Sequence, residues 1–271
     1  MTTRQIVNRP ISNSTVEHLS LGCGGSRGIL ILGALSVLQK EEWLAQVKTF
    51  YGCSVGSIIA TGLCLGVSCD TMKRRVIRNP IRFSTQPDDV LKNTRKFGMH
   101  GGKALRTFIK KVTRVGTKTF RDVYEQTGKT LVVVVCNITT RQIEHWSHES
   151  HPTTKVITAL RLSCGVPFVF THGTHQGHVY VDGAVGEPVP WTRAPERTLA
   201  VSFDDPTKPP QTVMEFVHAM SSIKREQPVR WNVRLQPGAL SQFEFAPDEA
   251  TVNEAYASGI RQARDFCKKN V

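Results

Sequence analysis

Apolar runs alternate with glycine clusters through the first part of the chain. Val16–Leu21 alternates and then becomes continuously apolar before a glycine cluster, which is typical of a buried strand. Ile29–Leu38 is too densely apolar for a surface helix and predicts a helix packed against a sheet. Val47–Tyr51 predicts a second strand and Ser57–Gly66 a second apolar helix. Strand, glycine turn and helix, repeated twice, predicts an α/β fold with a parallel sheet covered by helices.

The rest of the chain continues this mixture of strands and helices. The predicted strands are Leu131–Asn137, Gln142–Trp146, Val179–Val181, Leu199–Phe203 and Val229–Leu235, and the predicted helices are Lys103–Arg114, Thr153–Leu162 and Gln211–Ile223. Apolar residues at helical spacing from Val252 to Phe266 predict a last helix that packs on the body. Because the sequence contains no repeat, low-complexity segment or linker, we expect residues 1–271 to form a single domain.

The composition is typical of a globular protein, and the positive charge is concentrated in one region. The chain has 271 residues, of which 39% are hydrophobic and 7% aromatic, and a formal net charge of +13. Between Lys73 and Lys129, 16 lysines and arginines face four acidic residues, so this region carries +12 of that charge. Such a region attracts an anionic surface, and charge alone does not distinguish acidic lipid headgroups from nucleic acid.

The predicted helix at Lys103–Arg114 concentrates part of this charge on one face. Its apolar face carries Leu105, Phe108, Ile109 and Val112, and its other face carries Lys103, Arg106, Lys110, Lys111 and Arg114. Two interpretations fit this pattern. The apolar face packs into the core below a solvated basic face, or it lies on a membrane.

Three features bear on the cellular compartment. The most apolar stretch, Ile29–Leu38, is shorter than the roughly 20 residues that a membrane-spanning helix needs. Met1–Asn13 is polar and lacks the apolar core of a secretory signal. The seven cysteines form no CxxC pair, which favours reduced thiols. We therefore expect an intracellular, cytoplasmic protein that associates peripherally with membranes through residues 73–129.

Gly52-x-Ser54-x-Gly56 lies between a predicted strand and a predicted helix, which is the context of a nucleophile elbow. The glycines allow a sharp turn that projects the serine hydroxyl from the start of the helix. The positive end of that helix and the free N–H of Val55 favour the oxyanion that forms when Ser54 attacks an ester. The sequence therefore predicts a serine nucleophile.

The earlier cluster, from Gly22 to Gly28, also joins a strand to a helix and predicts an anion-binding turn. Such a turn serves as an oxyanion hole or binds the pyrophosphate of a dinucleotide. A dinucleotide site needs an acidic residue at the end of the next strand. Here that strand ends at Gly52-Cys53-Ser54, which argues against a dinucleotide.

Four motifs together carry a family resemblance. In order along the chain they are Gly24-Gly25-Ser26-Arg27-Gly28, Gly52-Cys53-Ser54-Val55-Gly56, Ser163-Cys164-Gly165-Val166-Pro167 and Asp182-Gly183-Ala184. In this order and context they resemble the patatin-like phospholipase family, over about residues 19–190. Four ordered motifs are much more specific than any one of them.

The resemblance implies a three-layer α/β/α fold with a mainly parallel central sheet. It implies hydrolysis of acyl esters of glycerolipids or phospholipids by a dyad without histidine. Ser54 then matches the nucleophile, Asp182 the aspartate that activates it, and the turn Gly24-Gly25-Ser26-Arg27 the oxyanion hole. Gly28, Gly52, Gly56 and Gly183 are the remaining motif glycines. We expect neither a cofactor nor a metal ion.

One position departs from the family pattern. The glycine-rich motif of the family begins with a glycine where this chain has Cys23. If this position requires a positive φ, a cysteine strains it, and if substrate approaches closely, a cysteine narrows the pocket.

Other arrangements of catalytic and metal-binding residues compete with the dyad. An α/β-hydrolase triad has the order Ser, Asp or Glu, His, and His218 is the one histidine after Asp182. Zinc is a further possibility, because His145-x-x-His148-x-x-His151 and His172-x-x-His175-x-x-His178 place imidazoles at regular spacing. Solvated loop histidines explain both runs more simply.

A function without catalysis is the alternative to a lipid acyl hydrolase. A basic protein of the same fold would bind nucleic acid or a protein partner. The presence of both Ser54 and Asp182 argues against it, since a binding protein needs neither residue, and no aromatic-interleaved nucleic-acid motif accompanies the basic region.

Overall fold

A central sheet organises the fold. The structure is a computed structural model, and it describes residues 16–83, 86–190, 195–204, 209, 216, 219, 229 and 231–270. The strands within these residues are β1 His18–Leu21, β2 Thr49–Cys53, β3 Gly98–His100, β4 Thr130–Asn137, β5 Gln142–Trp146, β6 Phe168–Phe170, β7 Gly173–His175, β8 His178–Asp182, β9 Thr198–Phe203 and β10 Trp231–Leu235. The helices are α1 Gly28–Lys40, α2 Val55–Cys64, α3 Cys69–Arg78, α4 Pro87–Thr94, α5 Lys103–Thr113, α6 Phe120–Thr127, α7 Val156–Ser163 and α8 Glu249–Asn270.

Eight of the strands form one sheet in the order β10-β9-β1-β2-β4-β8-β7, with β5 also paired to β4. The pairs from β10 to β4 are parallel, whereas β5, β8 and β7 join antiparallel. β3 and β6 form a separate parallel pair. Leu131 to Val135 of β4 are all buried, because helices cover both faces of the sheet. This confirms the predicted three-layer α/β/α class with a mainly parallel sheet.

Long apolar segments were the most predictable elements. β5 has the predicted bounds, and α1 is buried at every residue from Gly28 to Leu38. The short polar helices α3, α4 and α6 were not predicted, although the Thr119–Asp122 capping box at the start of α6 is visible in the sequence. The predicted helix Gln211–Ile223 lies outside the described residues except for Phe216 and Ala219.

α5 decides between the two interpretations of its amphipathic pattern. Leu105, Ile109 and Val112 are buried in the body, while the charged side chains of the helix are exposed. The interpretation in which this apolar face lies on a membrane is therefore wrong, because the face points into the body, where part of it lines a cavity. Among the described helices, none is both long enough and apolar enough to cross a bilayer.

The first and last helices, α1 and α8, pack closely through two glycines. A Cβ at Gly259 would overlap the carbonyl oxygen of Leu30 on α1, and a Cβ at Gly33 would overlap the carbonyl oxygen of Tyr256 on α8. Larger residues at either position would separate the helices. The contact ties the C-terminal helix to the helix that follows the glycine-rich turn.

We expect Gly259→Ala to lower the free energy of unfolding by about 1–3 kcal/mol, because the added methyl group forces α8 away from α1. Urea unfolding followed by circular dichroism measures this. Asn253→Ala, at an exposed position of the same helix, is the control and should change stability by about 0.5 kcal/mol at most. Equal stability of the two variants would contradict the close packing.

Candidate active site

Two strands of opposite direction end against neighbouring residues of β4. Cys53, the last residue of β2, pairs with Val134, and Asp182, the last residue of β8, pairs with Val135. β5 occupies the opposite edge of β4 at the same residues. β2 and β8 therefore lie end to end along one edge, and the residue after β2 meets the last residue of β8.

Ser54 follows β2 in a sharp turn that leads directly into α2. Its backbone has φ 52° and ψ −126°, a left-handed conformation that is rare outside glycine and typical of a strained functional turn. The flanking glycines make the turn possible. A Cβ at Gly56 would overlap the carbonyl oxygen of Leu21 on β1, and a Cβ at Gly52 would overlap the backbone of α2. The geometry is that of the predicted nucleophile elbow.

The side chains of Ser54 and Asp182 are joined by a hydrogen bond. Ser54 Oγ donates to Asp182 Oδ2 at 2.8 Å, and both residues are buried. The other carboxylate oxygen, Oδ1, accepts the backbone N–H of Ala184 at 2.9 Å. With one oxygen held by the backbone, the other is directed at the serine, in the position that a general base requires.

The end of α7 and the turn that follows it hold the backbones of both residues. The N–H of Ser54 donates to Ser163 Oγ at 3.0 Å, and the N–H of Asp182 donates to the carbonyl of Gly165 at 3.0 Å. Ser163 and Gly165 belong to the third of the four ordered motifs, although their local sequence predicts no role for them. Their place in that motif is the signal that could have indicated a positioning function.

Some N–H groups of the glycine-rich turn donate hydrogen bonds to carbonyl oxygens of the protein. The N–H of Ser26 donates to the carbonyl of Gln242 at 2.9 Å, and that of Arg27 donates to the carbonyl of Gly24 at 3.1 Å. Gly25 has φ 56°, and its lack of a side chain allows Gln242 to approach. Within the described residues, the N–H groups of Gly24, Gly25 and Val55 donate to no protein acceptor. These three remain available to an anion.

The side chain of Arg27 holds the turn in place. It is buried, its Nη2 donates to Gln242 Oε1 at 2.8 Å, and its guanidinium lies 4.7 Å from the ring centre of Phe203. Both its backbone and its side chain are therefore engaged with protein. Of the predicted oxyanion residues, the structure leaves the two glycines with free N–H groups and engages the N–H groups of Ser26 and Arg27.

Cys23 occupies its position without a positive φ, so the expected backbone strain is absent. Its N–H donates to the carbonyl of Pro188 at 2.8 Å, and the residue lines the cavity in front of Ser54. A cysteine in place of the family's glycine narrows this cavity and leaves the backbone relaxed.

Two cysteines near Ser54 have thiols that are protonated at neutral pH. Burial, together with the negative charge of Asp182, raises the pKa of the Cys53 thiol well above its ordinary value. The same causes raise the pKa of Cys164. Both thiols are neutral near pH 7, and a neutral thiol is a poor nucleophile. The hydroxyl of Ser54 is therefore the better candidate nucleophile.

Ser54 and Asp182 both line a cavity that is open to solvent. Most of its wall is apolar. Side chains from four helices contribute to this wall, among them Ile29, Leu32, Ile58, Met72, Leu105 and Phe108. An apolar cavity beside Ser54 suits a ligand with a long hydrocarbon portion.

Five of the six histidines of the two regular runs have different neighbours, and His175 shares Trp146 with His151. The Nε2 of buried His145 lies 2.7 Å from Oε2 of buried Glu187. Four of the others are placed as follows: His148 stacks on Tyr124, His151 stacks on Trp146, His172 Nδ1 lies 3.1 Å from the carbonyl of Lys96, and His178 Nδ1 lies 2.9 Å from Asn137 Nδ2. Across the described residues, no three potential ligands converge on one point. His218, the third member of the alternative triad, lies outside those residues.

Comparison with known proteins places the chain in a family. The model of the family described as patatin-like phospholipase matches residues 19–195. An uncharacterized protein, R571, of Acanthamoeba polyphaga mimivirus is 28% identical over 72% of this chain and 68% of its own length. Probable lipid hydrolase 463L of Invertebrate iridescent virus 6 is 28% identical over 64% of this chain and 61% of its own length.

Solved structures show the same fold at low sequence identity. VipD from Legionella pneumophila superposes with a TM-score of 0.63 at 16% identity, over 94% of this chain and 67% of VipD. ExoU of Pseudomonas aeruginosa, in complex with SpcU, superposes with a TM-score of 0.50 at 13% identity, over 94% of this chain and 53% of ExoU. The chain belongs to the patatin-like phospholipase family, and the resemblance seen in its four motifs is confirmed.

We expect Ser163→Ala to destabilise the protein by about 1–3 kcal/mol, because the buried N–H of Ser54 loses its acceptor. Chemical unfolding measures the change. Ser36→Ala is a matched control, since its buried hydroxyl donates to the Gly33 carbonyl within α1 and no buried donor loses its partner. A loss no larger than that of the control would contradict the positioning role of Ser163.

Proposed function

We propose that this protein is a lipid acyl hydrolase of the phospholipase A type, which releases fatty acid from glycerolipids through an acyl-enzyme on Ser54. The hydrogen bond of 2.8 Å from Ser54 Oγ to Asp182 Oδ2, at the wall of a largely apolar cavity, carries this proposal. Membership of the patatin-like phospholipase family supports it, and so does the similarity to a probable lipid hydrolase of an iridescent virus.

In the first step, Ser54 Oγ attacks the carbonyl carbon of the ester. Its proton passes to Asp182 Oδ2 as the new C–O bond forms. The negative charge that develops on the carbonyl oxygen is stabilised by the N–H groups of Gly24 and Gly25 and by Val55 at the positive end of α2. The tetrahedral intermediate then collapses, the bond to the alcohol breaks, and Asp182 returns the proton to the departing oxygen.

In the second step, water takes the place of the alcohol. Asp182 accepts a proton from the water as its oxygen attacks the acyl carbon, and the same N–H groups stabilise the second oxyanion. Collapse breaks the bond between Ser54 Oγ and the acyl group. The proton returns to Ser54, and a free fatty acid leaves. One carboxylate therefore acts as base and then as acid in each half of the reaction.

The cavity accounts for a preference for lipid acyl groups. Its wall includes Ile29 and Leu32 on α1 and Leu105 and Phe108 on α5. Burying an acyl chain against such side chains contributes about 0.8 kcal/mol per methylene group. Long acyl chains are therefore bound in preference to short ones, and the ester carbonyl is placed beside Ser54.

We expect Ser54→Ala and Asp182→Asn each to lower fatty-acid release from phospholipid vesicles by at least about 10³-fold, because the first removes the nucleophile and the second removes the base. Release of fatty acid is measured directly, and circular dichroism verifies that all proteins are folded. His218→Ala is the comparison variant and should retain the activity of the wild type.

The outcomes separate the proposed dyad from its alternatives. Loss of activity in folded His218→Ala would overturn the dyad in favour of a triad. An inactive wild type on phospholipid, galactolipid and triacylglycerol, combined with salt-sensitive binding to oligonucleotides, would overturn the enzyme in favour of a basic binding protein.

A further inference from the structure

Large apolar side chains are exposed on segments beside the cavity. Phe97 is 74% exposed and Phe168 is 52% exposed, unusually high values for phenylalanine. Leu91, Met99 and Val185 are exposed as well. We call these five residues the mouth patch.

Four of the five residues of the mouth patch, all but Val185, come from segments that contact one another. β3 pairs with β6, so that Gly98 lies opposite Phe168. The N–H of Phe168 also donates to the carbonyl of Phe97 at 3.3 Å. α4, which carries Leu91, packs on β3. Residues that are far apart in the sequence are thus gathered in one area of the surface.

This area borders the opening of the cavity. Val185 both lines the cavity and is exposed to solvent, so it lies at the opening. Phe168 directly follows Pro167, which also lines the cavity. The apolar interior that contains Ser54 and Asp182 is therefore continuous with an apolar rim.

The backbone of both phenylalanines is unusual. Phe97 has φ 56° and Phe168 has φ 67°, which is the left-handed region that bulky residues rarely adopt. Phe97 gains little burial in the folded protein and about half of Phe168 stays exposed, so burial offsets little of the cost of this conformation. Strained residues of this kind often belong to functional sites, and an exposed ring suits contact with an apolar partner.

The stretch of chain that carries Leu91, Phe97 and Met99 is rich in exposed positive charge. Nine lysines and arginines between residues 82 and 114 are exposed, against two exposed acidic residues, Asp88 and Asp89. The cations are Arg82, Lys92, Arg95, Lys96, Lys103, Arg106, Lys110, Lys111 and Arg114. Those of α5 lie on the outer face of the helix whose inner face lines the cavity. An apolar rim within a cationic surface complements an anionic lipid bilayer, in which charged headgroups cover hydrocarbon.

We propose that the mouth patch inserts into the interface of an anionic lipid bilayer, with Phe97 and Phe168 as its main anchors. The surrounding cations contact the headgroups, and the cavity faces the bilayer. The part of this inference that concerns lipid entry into the cavity rests on the proposed lipid hydrolase function. The docking itself rests on the exposure of the apolar side chains, the strained backbone of the two phenylalanines and the nearby positive charge.

The test uses flotation of the full chain with phosphatidylcholine vesicles, with or without phosphatidylserine. Ser54→Ala serves as the starting protein, so that vesicles stay intact. Adding Phe97→Asn and Phe168→Asn should reduce binding to anionic vesicles about tenfold or more, because two aromatic anchors are lost. Asparagine tolerates a positive φ, so these changes preserve the local backbone. Tyr124→Asn, an exposed aromatic on α6, is the matched control and should bind as before.

A second measurement reports insertion without removing an aromatic ring. In Phe97→Trp, the added tryptophan emission should shift to shorter wavelength when anionic vesicles are added, and lipids brominated in their acyl chains should quench it. Unchanged emission in the presence of bound vesicles would overturn the proposal. So would equal vesicle binding by the asparagine variant and the Tyr124→Asn control, or equal binding to neutral and anionic vesicles at low salt.

Failure of docking and failure of catalysis are distinguishable. Hydrolysis of a soluble short-chain ester by proteins with Ser54 intact should be the same with and without the two asparagine substitutions, since neither phenylalanine lines the cavity. Vesicle binding that depends on the mouth patch, without hydrolysis of any ester, would support docking and overturn the hydrolase. Salt-sensitive binding to an oligonucleotide in preference to anionic vesicles would instead assign the cationic surface to nucleic acid and overturn docking.

Discussion

The hydrogen bond between Ser54 and Asp182 depends on the register of one central strand. β2 and β8 approach β4 from opposite directions and end at its neighbouring residues Val134 and Val135. A slip of one residue in either pairing would turn side chains to the other face of the sheet and separate the two groups. The end of α7 and the turn that follows it oppose such a slip, because they accept hydrogen bonds from the backbone N–H groups of both residues. The sheet and this turn together set the distance on which the proposed chemistry depends.

The elbow at Ser54 concentrates local strain where tertiary contacts hold it. The positive φ is maintained by close packing of Gly56 on β1 and by Ser57 Oγ, which donates to the carbonyl of Ser54 at 2.6 Å. The same turn starts α2 and leaves the N–H of Val55 facing outward. A conformation that is locally unfavourable thus places the Ser54 hydroxyl at the cavity wall and supplies a donor beside it. Burial keeps the neighbouring thiols of Cys53 and Cys164 neutral, so that they do not compete as nucleophiles.

α5 shows how one amphipathic pattern can serve two purposes. Its inner face helps to wall the cavity, and its outer face presents lysines and arginines to solvent. Part of the basic region and part of the cavity wall therefore lie on opposite faces of the same helix. The exposed apolar surface comes from elsewhere, from the β3–β6 pair, where Phe97 and Phe168 were not notable in the sequence. Periodicity identifies faces of a helix, but it does not identify isolated exposed rings in short strands.

The sequence by itself determined the α/β class, the long buried strands and helices, the elbow at Ser54 and the family, because each depends on short-range patterns of apolar residues and glycines. Only the tertiary structure decided how distant segments meet. Asp182 lies 128 positions from Ser54, and their contact follows from strand pairing. The contact of Gln242 with the glycine-rich turn decided which N–H groups stay free, and packing decided that the apolar face of α5 points inward. Such contacts join residues whose local sequences carry no information about one another, so they become visible only when the chain is folded.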